Sequence, residues 1–101
     1  MSESKTIARP YASACFDVAQ ETGNTDDWLL FLEAAAEVVK DEAMLNLVKS
    51  PGIDKQELAK TIVAISNEAS GISGSEERRN FILLLSQNNR LEALTEIKKQ
   101  F

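Results

Sequence analysis

The sequence predicts an all-α fold, a compact six-helix bundle in a single domain over residues 1–101. Three observations predict it. The composition is that of helices: Ala, Leu, Glu, Lys, Ile and Val dominate, against only 4 Gly and 2 Pro in 101 residues. Apolar residues recur at the three- and four-residue spacing of a helix face, and no stretch keeps the alternation of a half-buried strand. The chain is also punctuated at short intervals, at Gly23-Asn24, Ser50-Pro51-Gly52, the run SGISGS from Ser70, and Asn88-Asn89. Each interval is the length of one helix, or of two in residues 25–49, and each connection is short enough to fold one helix back on the next.

The first helix is expected from about Ser4 to Thr22, with Pro10 inside it as a bend or as the mark of its first regular turn. The second begins near Thr25-Asp26-Asp27, whose acids suit the positive end of a helix dipole, and continues through WLLFLEAAAEVVK. Its Trp28 is expected in the core. A short third helix covers about Glu42 to Lys49, with Met44 and Leu47 facing inward. Asp54 caps the fourth, with Glu57 completing a capping box, and that helix runs to about Ala69. Ser73 with Glu76 reads as a second capping box opening the fifth helix. Asn88-Asn89 breaks it, in a turn or left-handed conformation, and a sixth helix runs from Arg90 to the end. That helix ends in EIKKQF with no Gly or Pro stop, which suggests that more protein follows in the parent chain.

Two of these helices carry more apolar surface than one core face requires. In the fifth, Phe81, Ile82, Leu83, Leu84 and Leu85 are consecutive and, at about 100° per residue, surround the whole helix. Phe81 and Leu85 share one face with Asn88, Leu83 points roughly opposite, and Leu84 lies on the flank between. Such a helix is either enclosed by its own domain or covered on a second side by something else. The first helix has two stripes. Ala8, Ala12, Cys15, Ala19 and Phe16 suit close helix packing, while Ile7, Tyr11, Ala14 and Val18 form a separate narrow stripe. Either both stripes are buried in the bundle, or the second belongs to a partner. Two spare faces side by side would make an apolar groove able to seat an amphipathic helix, with Tyr11 as an anchor.

Several function classes are disfavoured. The net charge of -5 argues against a nucleic-acid partner. With no His and a single Cys, imidazole acid/base chemistry, internal disulfides and most zinc sites are excluded. Cys15 lies among small apolar residues and reads as a buried thiol. The pairs Asp26-Asp27, Asp41-Glu42 and Glu76-Glu77 all stand at expected helix starts, where acids offset the dipole, and none is assigned to catalysis. GISGSEE lacks the Lys-Ser/Thr of a phosphate loop. No apolar run approaches the length of a membrane span, and the N-terminus lacks the apolar core of a signal peptide. The residues thus point to an interaction domain with no cofactor, metal, small-molecule substrate or nucleic acid.

Residues 7–19, IARPYASACFDVA, resemble the opening of the delta subunit of bacterial F-type ATP synthases, whose mitochondrial counterpart is the oligomycin-sensitivity-conferring protein. The family pattern Ala-Arg-x-Tyr-Ala-x-Ala-x-Phe-x-x-Ala is matched by Ala8, Arg9, Tyr11, Ala12, Ala14, Phe16 and Ala19. A second stretch, with Asn80, the apolar run Phe81 to Leu85, Asn88, Arg90, Leu91, Leu94 and Phe101, is similar to the family's later motif. Cys15 departs from it, since a larger aliphatic residue is common there. The resemblance implies the family's N-terminal six-helix domain, a non-catalytic stator part that binds the N-terminal helix of an alpha subunit between the first and fifth helices. It implies b-subunit contacts through a C-terminal domain absent from this chain, and a peripheral place on the cytoplasmic side of the bacterial inner membrane. Carried over by residue, it assigns Tyr11, Ala14, Asn80 and Leu84 to the alpha-binding groove. The helical wheel adds Ile7, Val18 and Leu83. The alternative is a generic helical module that binds another amphipathic helix.

Overall fold

The breaks read from the sequence fall at helix boundaries for local chemical reasons. In the computed structural model, which describes the backbone of residues 2–101 and the side chains of residues 5–101, Gly23 and Gly71 take left-handed φ values of 70° and 73°. Only residues without a Cβ adopt that conformation freely, so the chain turns there. Asn89 does the same at φ 58°, the role Asn fills next best. Between these points run α1 (Ser2–Thr22), α2 (Thr25–Lys40), α3 (Glu42–Val48), α4 (Lys55–Ser70), α5 (Glu76–Gln87) and α6 (Leu94–Gln100). A 3₁₀ turn over Leu91–Ala93 leads into α6, so the sixth helix opens tighter than the sequence suggests. The described residues contain six α-helices and no strand.

The caps follow the expected chemistry with one shift of position. Asp41 accepts from the Met44 amide at 3.1 Å, and Asp54 from the Gln56 and Glu57 amides at 2.9 and 3.3 Å. Glu57 leans toward Lys60, at 3.6 Å, instead of bonding back to the cap. The cap of α5 is Ser75 and not Ser73: its extended backbone lets Oγ accept from the Arg78 amide at 3.3 Å. The Ser73 carbonyl accepts from Arg78 Nη2 at 2.6 Å. Pro10 does not end α1; it lies on the exposed side of a continuous helix.

The core is organised around α2, which buries Trp28, Phe31, Leu32, Ala35, Ala36 and Val39. It packs against α4 on one side and α6 on the other; α5 lies on α4, and α1 on α6. Trp28 meets both Phe31 and Phe81 edge to face, at centroid distances of 6.5 and 5.6 Å, and so links α2 to α5. Fully burying each such large side chain contributes about 1.5–3 kcal/mol, an upper figure for area removed from water. The short third helix fits less well than its sequence promises. Met44 is buried, but Leu47 is 44% exposed, because a two-turn helix packed mainly on α2 covers only one narrow face.

The fate of the two over-apolar helices is now plain. On α1, Ala8, Ala12, Cys15 and Ala19 are buried, and Phe16 is half-buried with its ring edge-on to Phe101 at 5.2 Å. On α5, Phe81, Ile82 and Leu85 are buried while Leu83 is half-buried and Leu84 exposed. The bundle does not enclose either helix.

Candidate helix-docking face

The second stripe of α1 is the part its neighbours leave uncovered. Small side chains on the first stripe draw α1 close onto α6 and α2, which turns Ile7, Tyr11, Ala14 and Val18 outward. Tyr11 and Val18 stay half-buried against the core edge, and Ala14 is exposed. On α5 the hold of α4, through Ser86 Oγ donating to the Lys55 carbonyl at 2.9 Å, aims the opposite flank toward α1. Leu84 stands on that flank, 45% exposed, between the α5 core edge and solvent.

These two helices do not pack side by side. They are joined where Asn88 Nδ2 donates to Tyr11 Oη at 3.0 Å. From that link α1 runs toward Val18 and the turn into α2, whose Trp28 touches Phe81. From the same link α5 runs backward to Phe81. The two helices are therefore antiparallel along an open face that is bridged at Tyr11–Asn88 and floored near Phe81 by Trp28. Tyr11, Ala14, Val18 and Leu84 border this one face. Its chemistry is contact chemistry: apolar area, one phenol and one amide.

The remaining sequence-assigned residues lie to either side. Ile7, one turn before Tyr11, lies beyond the bridge and lines a hollow with Asn89, Arg90, Ala93 and Glu96. Leu83 and Asn80 line a hollow on the α4 side of α5 with Gln56, Ala59 and Lys60. The structure thus gathers four of the seven residues, with three on adjoining surfaces. Asn88, which the sequence marks only as a helix break and motif position, adds the bridge; its place on the Phe81–Leu85 face was the available signal.

The reactive groups lie elsewhere or are muted. Cys15 is buried, donates to the Ala12 carbonyl at 3.4 Å, and burial pushes its thiol up to about 12. Arg78 is also buried, its guanidinium 5.7 Å from the Phe31 ring centroid, and it forms no salt bridge among the described residues. Nothing in the sequence pattern marks it as internal. Among the described residues no group of three or more His, Cys, Asp or Glu is placed to hold a metal ion, and no helix is long and apolar enough to cross a membrane.

Comparison with known proteins gives a consistent answer. A family model described as "ATP synthase delta (OSCP) subunit" matches residues 7–101. The whole chain is 39% identical to the protein named ATP synthase subunit delta of Nitrosospira multiformis and 39% identical to that of Marinobacter nauticus. It is 40% identical to that of Citrobacter koseri. In each case all of this chain aligns with 54% of the relative, so the chain spans about half the length of the curated relatives it matches.

Proposed function

The chain belongs to the ATP synthase delta (OSCP) subunit family, and on that footing we propose that it is a non-catalytic stator element that receives the N-terminal helix of an alpha subunit on the face between α1 and α5. The observation that carries this reading is the uncovered pair of flanks. Tyr11, Ala14 and Val18 on one helix confront Leu84 on another across a face that the bundle leaves open and floors with Trp28 and Phe81. An amphipathic helix laid between them buries apolar area on both sides and leaves its polar side in water. The half of the relatives that this chain does not span would reach the b subunits of the peripheral stalk. The assembly would sit on the cytoplasmic side of a bacterial inner membrane, where the stalk holds the catalytic head against the torque of the rotor during proton-driven ATP synthesis.

Titration with a synthetic peptide of the alpha subunit's N-terminal segment, followed by calorimetry, tests the reading. Saturable one-to-one binding is expected. Tyr11→Ala should weaken it by about 1–3 kcal/mol, the cost of truncating an interface anchor, with the helical spectrum unchanged. Equal affinity in a folded Tyr11→Ala variant would remove the face from consideration.

A further inference from the structure

Three buried polar atoms where α2, α4 and α5 meet have no hydrogen-bond partner among the described residues: Ser66 Oγ, Asn67 Oδ1 and Arg78 Nε. Such orphans are rare in folded proteins, because a buried donor or acceptor left unpaired costs free energy. Two of them belong to side chains with almost no solvent contact, Ser66 fully buried and Arg78 4% exposed.

The fold brings the three toward one space. Arg78 leaves α5, crosses to the Phe31 ring on α2, and sends Nη2 to the Ser73 carbonyl. Helix α4 packs against both α2 and α5, and Ser66 lies on its buried face, between Ile62 and Val63 at about 100° per residue. Asn67 turns toward the α4–α5 loop, where a Cβ on Gly74 would stand 3.6 Å from Asn67 Nδ2. Asn67 and Arg78 thus close on adjoining loop residues, Gly74 and Ser73. Ser66 is also the exception among the hydroxyls of its helix. Thr61 and Ser70 donate back to carbonyls four residues earlier, at 3.0 and 2.7 Å. Ser66 is more buried than either and makes no such bond.

The chemistry of the set selects its ligand. Arg78 Nε–H and the Ser66 hydroxyl are donors, and Asn67 Oδ1 is an acceptor. One water molecule answers all three, accepting twice and donating once, within the two to four bonds usual for buried water. A halide would suit the two donors but be repelled by Oδ1, and a cation would be repelled by the guanidinium.

We propose that this junction binds one ordered water molecule, which accepts from Arg78 Nε and Ser66 Oγ and donates to Asn67 Oδ1. The water ties the α4–α5 loop to the core and solvates a guanidinium that has no carboxylate. Asn67 also lines a surface hollow with Val63, Gly74 and Arg79, which gives the water its route of exchange.

Nuclear magnetic resonance on the unaltered chain tests this first. The Arg78 Hε signal should show a cross-peak to a long-lived water and exchange more slowly than Hε of Arg9 or Arg90, both exposed. A crystal structure should place a water within hydrogen-bond distance of Arg78 Nε and of Ser66 Oγ or Asn67 Oδ1. Ser66→Ala and Asn67→Leu should each speed Arg78 Hε exchange about tenfold, the loss of one hydrogen bond from the site, with the helical spectrum retained. Thr61→Ala, on the exposed side of the same helix, should leave it unchanged. A direct bond from Arg78 Nε to Ser66 or Asn67 with no water between overturns the proposal. So does a halide in the site, revealed by bromide anomalous scattering, which would mean that Asn67 turns Nδ2 inward. Exchange unchanged in both folded variants overturns it as well.

Discussion

Leu84 and Leu30 form a natural matched pair for testing the docking face. Leu84 on α5 is 45% exposed and Leu30 on α2 is 46% exposed, so truncating either removes a similar amount of already covered area. Leu30 faces the α2–α4 flank, beside Ala34, Val38 and Ala69, away from α1 and α5. Fully burying a Leu side chain is worth about 1.5–3 kcal/mol. With 45% of Leu84 still open in the free domain, docking a helix over it recovers roughly half of that, or about 1 kcal/mol. Leu84→Ala should therefore raise the Kd for the alpha-subunit peptide about fivefold, and Leu30→Ala should leave it unchanged. Both variants should lose a similar amount of stability, about 1 kcal/mol less Ala's gain in helix propensity. Urea melts give the stability and calorimetry the affinity, on the same samples. Equal effects of the two substitutions on peptide affinity would refute the reasoning, because exposure alone, and not position on the α1–α5 face, would then govern binding.

Other outcomes follow from single contacts. Tyr11→Phe keeps the ring and deletes the hydroxyl that accepts from Asn88; domain stability should fall by no more than about 1 kcal/mol in urea unfolding, since the bond is exposed. Native Cys15 should react with a thiol reagent far more slowly than the unfolded chain at pH 8, as burial raises its thiol to about 12. The same shift sets a pH dependence. The folded state keeps its proton where the unfolded thiol, with an ordinary value of 9.0, has lost it, so this contribution is intact below pH 9 and declines from there toward pH 12. Cys15→Ala should abolish that component in denaturation curves taken across the range. Arg78→Ala should cost about 2–3 kcal/mol in urea unfolding, through lost packing on Phe31 and the lost bond to Ser73. Arg78→Met, which keeps an apolar stem on the ring, should recover at least half of it.

How much of this could be read from the chain depends on the range of the forces involved. The two stripes of α1 are a property of one helix's own period, and the structure separates Ala8, Ala12, Cys15 and Ala19 from Tyr11, Ala14 and Val18 along that line. On α5 the same geometry put Leu83 opposite the core face and Leu84 on its flank; it was the family resemblance that singled out Leu84, which is the more exposed of the two. Leu83 and Asn80 are different: periodicity turns Leu83 away from Phe81 and the resemblance supplies Asn80, but only the packing of α4 decides which neighbours they meet. Ser73 and Ser75 each stand near the start of α5, and the choice between them turned on where Arg78 takes its carbonyl. Arg78 itself was beyond sequence reasoning, because a buried guanidinium is stabilised by a ring on another helix. Leu47 fails for a related reason: two turns of helix cannot wrap enough core to cover both apolar positions.

The fastening of α5 has a mechanical meaning. At its C-terminal end three bonds converge on neighbouring elements: Ser86 to the Lys55 carbonyl, Lys55 Nζ to Asn89 Oδ1 at 2.7 Å, and Asn88 to Tyr11. Two tie the helix to the start of α4 and one to α1. Toward its N-terminal end the link to α1 is indirect, by way of Trp28. The gap between the two helices therefore behaves like a pair of tongs riveted at one end. On the docking reading, a helix of slightly different girth would be accommodated by spreading at the end without such bonds while the rivet holds register. Under sideways load a helix docked as proposed would be held in shear along the jaws, the direction in which many weak contacts yield together and not one after another.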